Sequence, residues 1–236
     1  RSLTLIFGAG LKALALVAFL GLGACQAPEP VSPPPPSPAA TTEAPPPSPT
    51  DAAAGKLLDD FEDKNAVNAL GGGWFTYADK ELGGDSQVSA FEVAAGGANA
   101  SGAAGKMAGK VTKTYPYGFI TLATSLEEGG KPVDLTAYKG ISFWAKGDGK
   151  PIRLSFQSPA VKDYNYYGYV FIPTAEWQRF DVPFDQLTQE DWKDKLVPVP
   201  QAEVLAQVAY IAWTTFPPGE PRESTQLELD DVQLTP

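Results

Sequence analysis

Histidine is absent from all 236 residues, and cysteine and methionine occur once each. Without histidine the common Cys/His zinc sites cannot form. Serine and cysteine nucleophiles also lack the imidazole base that usually activates them. Any catalysis would have to run on carboxylates, lysine or tyrosine. Positive charge is scarce as well: 18 Lys and Arg stand against 28 Asp and Glu, a formal net charge of −10. In residues 1–56, Arg1, Lys12 and Lys56 balance Glu29, Glu43 and Asp51, so the whole acidic surplus lies in 57–236. Binding to a polyanion draws its affinity from clustered Lys and Arg. No such cluster exists, which argues against nucleic acid as a partner. A lone cysteine also means that the fold does not rely on an internal disulfide.

What is present begins with an apolar run. Residues 3–24, L-T-L-I-F-G-A-G-L-K-A-L-A-L-V-A-F-L-G-L-G-A, follow a basic start and end in small residues before Cys25. That is the layout of a secretory signal helix; a membrane-spanning anchor is the other reading of such a run. The segment L-G-A-C at Leu22–Cys25 resembles the cleavage box of bacterial lipoproteins, in which the cysteine becomes the lipidated first residue. The expectation is therefore a signal peptide over 1–24, lipidation at Cys25 and attachment to the cell envelope. Gln26 after the cysteine implies the outer membrane if the source is Gram-negative. From Ala27 to Ala54 the chain holds eleven of the 23 prolines and no aromatic residue. Such a segment cannot bury enough apolar surface to fold, so 25–56 is expected to be a disordered, Pro-rich linker. At ~3.1 Å per residue an extended tether of this kind holds a domain several nanometres from its anchor.

Residues 57–236 read as a single all-β domain. Ile141, Phe143 and Ala145 alternate with Ser142, Trp144 and Lys146; Ile152, Leu154 and Phe156 alternate with Arg153, Ser155 and Gln157. Phe180, Val182 and Phe184 alternate in the same way, as do Val208, Tyr210, Ala212 and Thr214 against Ala209, Ile211 and Trp213. Period-two alternation broken by Gly, Pro and Asp predicts many short strands in two packed antiparallel sheets. The closing stretch L-E-L-D-D-V-Q-L places Leu227 and Leu229 on one parity, Val232 and Leu234 on the other. A β-bulge at Asp230–Asp231 would return all four to one face. Two adjacent acids at a bulge near a sheet edge also suit a hard cation.

Four stretches in order carry a resemblance: L-L-D-D-F-E-D (Leu57–Asp63), V-D-L-T-A-Y-K-G-I-S-F-W-A-K-G-D-G (Val133–Gly149), E-W-Q-R-F-D-V-P-F (Glu176–Phe184) and L-E-L-D-D-V-Q-L (Leu227–Leu234). Together they resemble the galactose-binding-like jelly rolls of family 11 carbohydrate-binding modules and of the related complex I intermediate-associated assembly factors. The resemblance implies a two-sheet antiparallel β-sandwich over 57–236, with one sheet face lining a sugar cleft. A sugar ring lays its C–H face on an aromatic ring and needs planar polar partners for its hydroxyls. Arg153 and Gln157 form a polar stripe opposite Ile152, Leu154 and Phe156. Trp213 is a platform if Val208 and Tyr210 face the core. In V-K-D-Y-N-Y-Y-G-Y-V-F (Val161–Phe171), Tyr167, Tyr169 and Phe171 share a face; parity alone leaves the exposed face open, and Tyr167 and Tyr169 are assigned to the groove. Trp74, Trp144 and Trp177 are assigned to core or loop packing. The resemblance adds Tyr77, Tyr117 and the pair Asp191–Trp192 as sugar contacts. It also implies a structural calcium ion joining the first and last strands through Glu62 and Asp230, with Asp60 as a further ligand and carbonyls completing a shell of six to eight oxygens.

Asp59, Asp60, Glu62 and Asp63 leave a glycosidase only as a minor alternative, because they crowd one segment rather than flank a bond across a cleft. The expected function is a non-catalytic, β-glucan-type polysaccharide-binding module displayed on a lipoprotein, outside the cytoplasm. The alternative is an accessory or scaffold subunit of an envelope complex that uses the same fold to dock a protein partner.

Overall fold

The computed structural model describes residues 55–190 and 199–236. The signal segment, Cys25 and nearly all of the Pro-rich stretch lie outside the described residues, as do Asp191 and Trp192. Twelve strands are present in the described part: β1 (Lys56–Asp59), β2 (Trp74–Ala78), β3 (Gln87–Val88), β4 (Glu92–Ala95), β5 (Ala103–Val111), β6 (Ile120–Ser125), β7 (Gly140–Gly147), β8 (Ile152–Gln157), β9 (Tyr167–Phe171), β10 (Gln178–Pro183), β11 (Tyr210–Thr215) and β12 (Arg222–Thr235). A single-turn helix α1 (Gln201–Leu205) precedes β11. One sheet runs β10-β7-β12-β5-β3, with β1 also pairing β12 and β4 also pairing β5; the other runs β2-β6-β11-β8-β9. Every strand pairing in both sheets is antiparallel.

The two sheets meet face to face because each strand has one apolar parity. Ile141, Phe143 and Ala145 of β7 and Leu227, Leu229, Val232 and Leu234 of β12 meet Leu122 of β6, Ile152, Leu154 and Phe156 of β8, and Ile211 and Trp213 of β11. The expected bulge is there. The β12–β7 register shifts between Asp230 and Gln233, and Asp231 takes φ 48. This one extra residue is what lets four alternating apolar side chains stay inward along a single long strand.

Two parity assignments are corrected by the register. Trp213 is fully buried and pairs with Leu154 and Leu122; its ring lies 5.7 Å from Trp74 and 5.7 Å from Phe143. It is a core residue and cannot serve as a platform. The sequence misled because Val208 belongs to an isolated bridge with Val133, before the strand begins, so its inward side says nothing about Tyr210. Tyr167, Tyr169 and Phe171 pair with Phe156, Leu154 and Ile152, so they also point inward and pack on the core. Tyr167 fixes this position by donating from its hydroxyl to Val199 O at 3.2 Å. Trp74 is core as expected, whereas Trp144 stands on the outward parity of β7, partly exposed.

Candidate functional site

The register of the five-stranded sheet places Phe75 and Tyr77 (β2), Thr121, Ala123 and Ser125 (β6), Tyr210, Ala212 and Thr214 (β11), Arg153, Ser155 and Gln157 (β8) and Gly168 and Val170 (β9) on its outward face. The middle of this face is small: Thr121, Ala123, Ala212 and Ser155 form a floor, and Thr121 and Thr214 share a hydroxyl–hydroxyl hydrogen bond of 2.9 Å. The floor faces outward yet is buried, and side chains from both edges reach over it. Gln157 Nε2 donates to the Tyr77 hydroxyl at 3.2 Å across the intervening strands. From the other edge Tyr166 lies within electrostatic reach of Tyr77. Burial, followed by the neighbouring phenols of Tyr77 and Tyr164, pushes the Tyr166 phenol up to about 12.

One side of the floor carries a continuous aromatic ridge. Phe119 meets Tyr77 edge-on at 5.9 Å, Tyr77 stacks on Phe75 at 6.0 Å, and Phe75 meets Tyr210 edge-on at 6.0 Å. Buried Asp79 holds the near end of the ridge. It accepts hydrogen bonds from Ser86 N at 3.0 Å, the Ser86 hydroxyl at 2.7 Å and Phe119 N at 3.3 Å. Tyr117, exposed and edge-on to Tyr115 at 5.8 Å, stands on the loop that leads into Phe119. Of the residues named from sequence, Tyr77 and Gln157 are brought together and Tyr117 lies beyond the ridge. Phe75, Phe119 and Tyr210 were missed. The available signal was the burial of Trp74, which forces Phe75 and Tyr77 outward together.

Arg153 lies on the expected face, but its guanidinium is already committed. Nη2 donates to Tyr166 O at 3.0 Å and to Thr188 O at 2.7 Å, and Nη1 pairs with Glu190 at 2.5 Å. Desolvation pulls its pKa below the usual arginine value, with Glu190 opposing. A side chain on Gly168 would reach 2.3 Å from Leu154 O and 2.9 Å from the Arg153 guanidinium, so the glycine makes room for this arm. Arg153 thereby ties the 164–166 loop and Thr188 to the sheet.

The seam between β1, the β4–β5 turn and the β12 bulge gathers the acids named for calcium. Glu62 Oε1 accepts from the Ser101 hydroxyl at 2.7 Å, Gly102 N at 2.7 Å and Ala103 N at 3.1 Å. These bonds hold its pKa below the ordinary glutamate value, the Ser101 contact contributing most. Asp230 is fully buried; its two oxygens accept from Ala98 N and Asp231 N, both at 2.8 Å. Burial raises its pKa despite those donors. Asp60 accepts from Glu62 N at 3.2 Å. Positive φ at Phe61, Lys64, Asn99, Ala100 and Asp231 concentrates backbone strain at this seam. Among the described residues no three His, Cys, Asp or Glu side chains converge as a metal group. A cation here fits only with Glu62 Oε2 and an Asp230 oxygen as side-chain ligands and carbonyls or water for the remainder. The Ala103 carbonyl is suitably near: it, the Ser101 hydroxyl and the Asp230 carboxylate all crowd the position a Gly97 Cβ would take, at 2.2–2.5 Å.

The two antiparallel sheets form a jelly-roll β-sandwich, and solved structures match that fold. The family 11 carbohydrate-binding module of a cellulosomal cellulase of Clostridium thermocellum superposes with a TM-score of 0.56 at 21% identity, covering 78% of this chain and 96% of that one. The Clostridium thermocellum family 11 module in complex with a β-1,3-1,4-mixed-linked tetrasaccharide gives 0.54 at 20% identity, covering 77% and 95%. No curated protein matches the chain in sequence. The family model for Complex I intermediate-associated protein 30 (CIA30) matches residues 60–212, and the chain belongs to that family.

Proposed function

We propose that the protein is a non-catalytic carbohydrate-binding module that takes a β-glucan-type polysaccharide on the outward face of the five-stranded sheet. The observation that carries this reading is the ridge Phe119–Tyr77–Phe75–Tyr210 beside a floor of small side chains, with the Gln157 amide at its far side. Successive sugar rings lie on successive aromatic faces, and the amide and phenol hydroxyls take the ring hydroxyls. The mixed-linkage tetrasaccharide held by the Clostridium thermocellum module supports this ligand class. The Leu22–Cys25 box and the proline-rich stretch after it support display of the domain outside the cytoplasm on a lipid anchor; intact-mass analysis of the mature N-terminus tests that part.

Affinity electrophoresis of the protein in gels containing soluble mixed-linkage β-glucan, xyloglucan or laminarin tests the binding. Retardation by at least one glucan is expected, and unaltered mobility in all of them rejects the reading. A second reading, a docking surface for a protein of the cell envelope, is favoured by the closed state of the floor: an outward face already covered by Tyr77, Tyr166 and Gln157 offers a partner a flatter surface than an open groove does. Membership of the assembly-factor family supports it too. A calcium ion at the seam, held by Glu62 and Asp230, belongs to the same proposal and would pin the first strand to the last. A melting temperature that falls when EDTA replaces calcium supports the ion; an unchanged one counts against it.

A further inference from the structure

The outward face of the seven-stranded sheet has a hollow of its own, to which the five-stranded face contributes nothing. It measures about 180 Å3 and is lined by Ser142, Phe143, Trp144, Arg179, Asp231 and Gln233. At about 30 Å3 per water molecule it holds roughly six waters, the room one small polar molecule needs.

Each wall follows from the register. Ser142 and Trp144 lie on the outward parity of β7, with Arg179 of β10 opposite Trp144 and Gln233 of β12 opposite Ser142. Gln233 Nε2 donates to Ser142 Oγ at 3.0 Å, which fixes the amide, and its carbonyl oxygen has no partner among the described residues. Asp181 engages Arg179 through Nε and Nη2 at 2.9–3.2 Å, and Nη1 has no partner among the described residues. Asp231 is the extra residue of the bulge, held at φ 48, where a residue other than glycine is strained. Its carboxylate accepts no hydrogen bond among the described residues, and the Trp144 indole N–H has no partner among them either. Arg179 and Asp231 feel one another's charge yet form no ion pair. The bulge accounts for the strained backbone of Asp231, and it turns outward a carboxylate that the fold does not use among the described residues.

The hollow thus brings together an indole, a guanidinium edge, a carboxylate and an amide oxygen, all with hydrogen-bonding capacity left over. Within the lining one guanidinium stands against one carboxylate, so the hollow sets a donor edge beside an acceptor with no net charge, which suits the hydroxyls of a neutral molecule. We propose that this hollow binds a single neutral sugar unit, separate from any ligand of the five-stranded face. The Trp144 ring takes the apolar face of the sugar, and Asp231 with Arg179 takes a pair of neighbouring hydroxyls.

Saturation-transfer NMR on the full chain with glucose, galactose, mannose and xylose tests it. Transfer to at least one sugar is expected, with Asp231→Gly and Arg179→Ala each weakening it about tenfold or more. Glycine accepts φ 48 without strain, so Asp231→Gly should keep or raise the melting temperature and so separate lost contact from lost fold. Tyr77→Ala, which strips the other face, should leave the monosaccharide signal unchanged, so either proposal can fail while the other stands. No transfer from any of these sugars overturns the inference. So does transfer indifferent to both hollow substitutions or abolished by Tyr77→Ala, and so does tighter binding of choline or glucuronate.

Discussion

The outward faces of the two sheets are built on opposite plans. Among the described residues the five-stranded face is nearly free of charge: hydroxyls and methyls in the centre, aromatic rings along one side, and one strand cation, Arg153, folded down onto backbone carbonyls and Glu190. The seven-stranded face is charged, with Lys146 paired to Glu228 at 2.8 Å and set 5.0 Å over the Trp177 ring, and Arg179 paired to Asp181. The Arg179–Asp181 pair is exposed and adds little stability, whereas Glu228 of the other pair is largely buried. Charged pairs mark one face, and aromatic rings mark the other. The two faces differ in what they leave open to solvent: rings on one, a few polar groups around Trp144 on the other.

The largest expected effect comes from the core that both faces share. Trp213→Ala removes a fully buried indole stacked on Trp74 and should cost about 3–5 kcal/mol in chemical denaturation, as large-to-small core changes do. Were Trp213 a ligand platform instead, the variant would keep its stability and lose only binding. Next in size is a contrast between two tyrosines. Tyr77→Ala should abolish glucan retardation, a loss of about tenfold or more, with a small change in melting temperature. Tyr167→Ala should do the reverse, lowering stability by about 1–3 kcal/mol with retardation intact. Equal effects from the two would erase the distinction between inward and outward parity on this sheet.

The smallest effect concerns the seam. Asp231 has its pKa raised, first by desolvation and then by Asp60, against the pull of Arg179, with Glu62 adding to the rise. A carboxyl with a raised folded pKa binds protons more readily folded than unfolded, so its charge weakens the fold above that pKa, and the penalty disappears as pH falls below the ordinary aspartate range. Asp231→Asn, whose side chain tolerates positive φ, should therefore melt about 1–2 °C higher than the parent at pH 7, with the gain fading toward pH 3.5. Glu62 has the opposite sign: its lowered pKa means that its contribution holds above about pH 4.5 and is lost on further acidification. Melting curves of parent and Glu62→Gln across this range check that sign.

Much of this organisation was legible in the residue order. Alternation in β7, β8 and β10 named the inward residues correctly, and the D-D interruption in β12 foretold the bulge, because a break in parity along a strand has few other solutions. The outward site was legible only in part. Tyr77 was named, yet Phe75 and Tyr210 were not, and Tyr167 and Tyr169 were placed on the wrong side.

Local sequence, then, determined that the chain makes a β-sandwich, since period-two patterning and turn residues act within a few positions. It also set the chemistry available: no imidazole, few cations, many rings. Tertiary structure decided which rings meet water. The segment Tyr166–Ile172 carries large side chains on both parities, and only pairing with β8 settles that the parity of Tyr167, Tyr169 and Phe171, facing Phe156, Leu154 and Ile152, goes inward. The same is true of Arg153. It is a surface cation by its alternation, and the glycine across the ladder together with Glu190, distant in sequence, turned it into a strut. Burial is a property of neighbours, and neighbours are fixed by register.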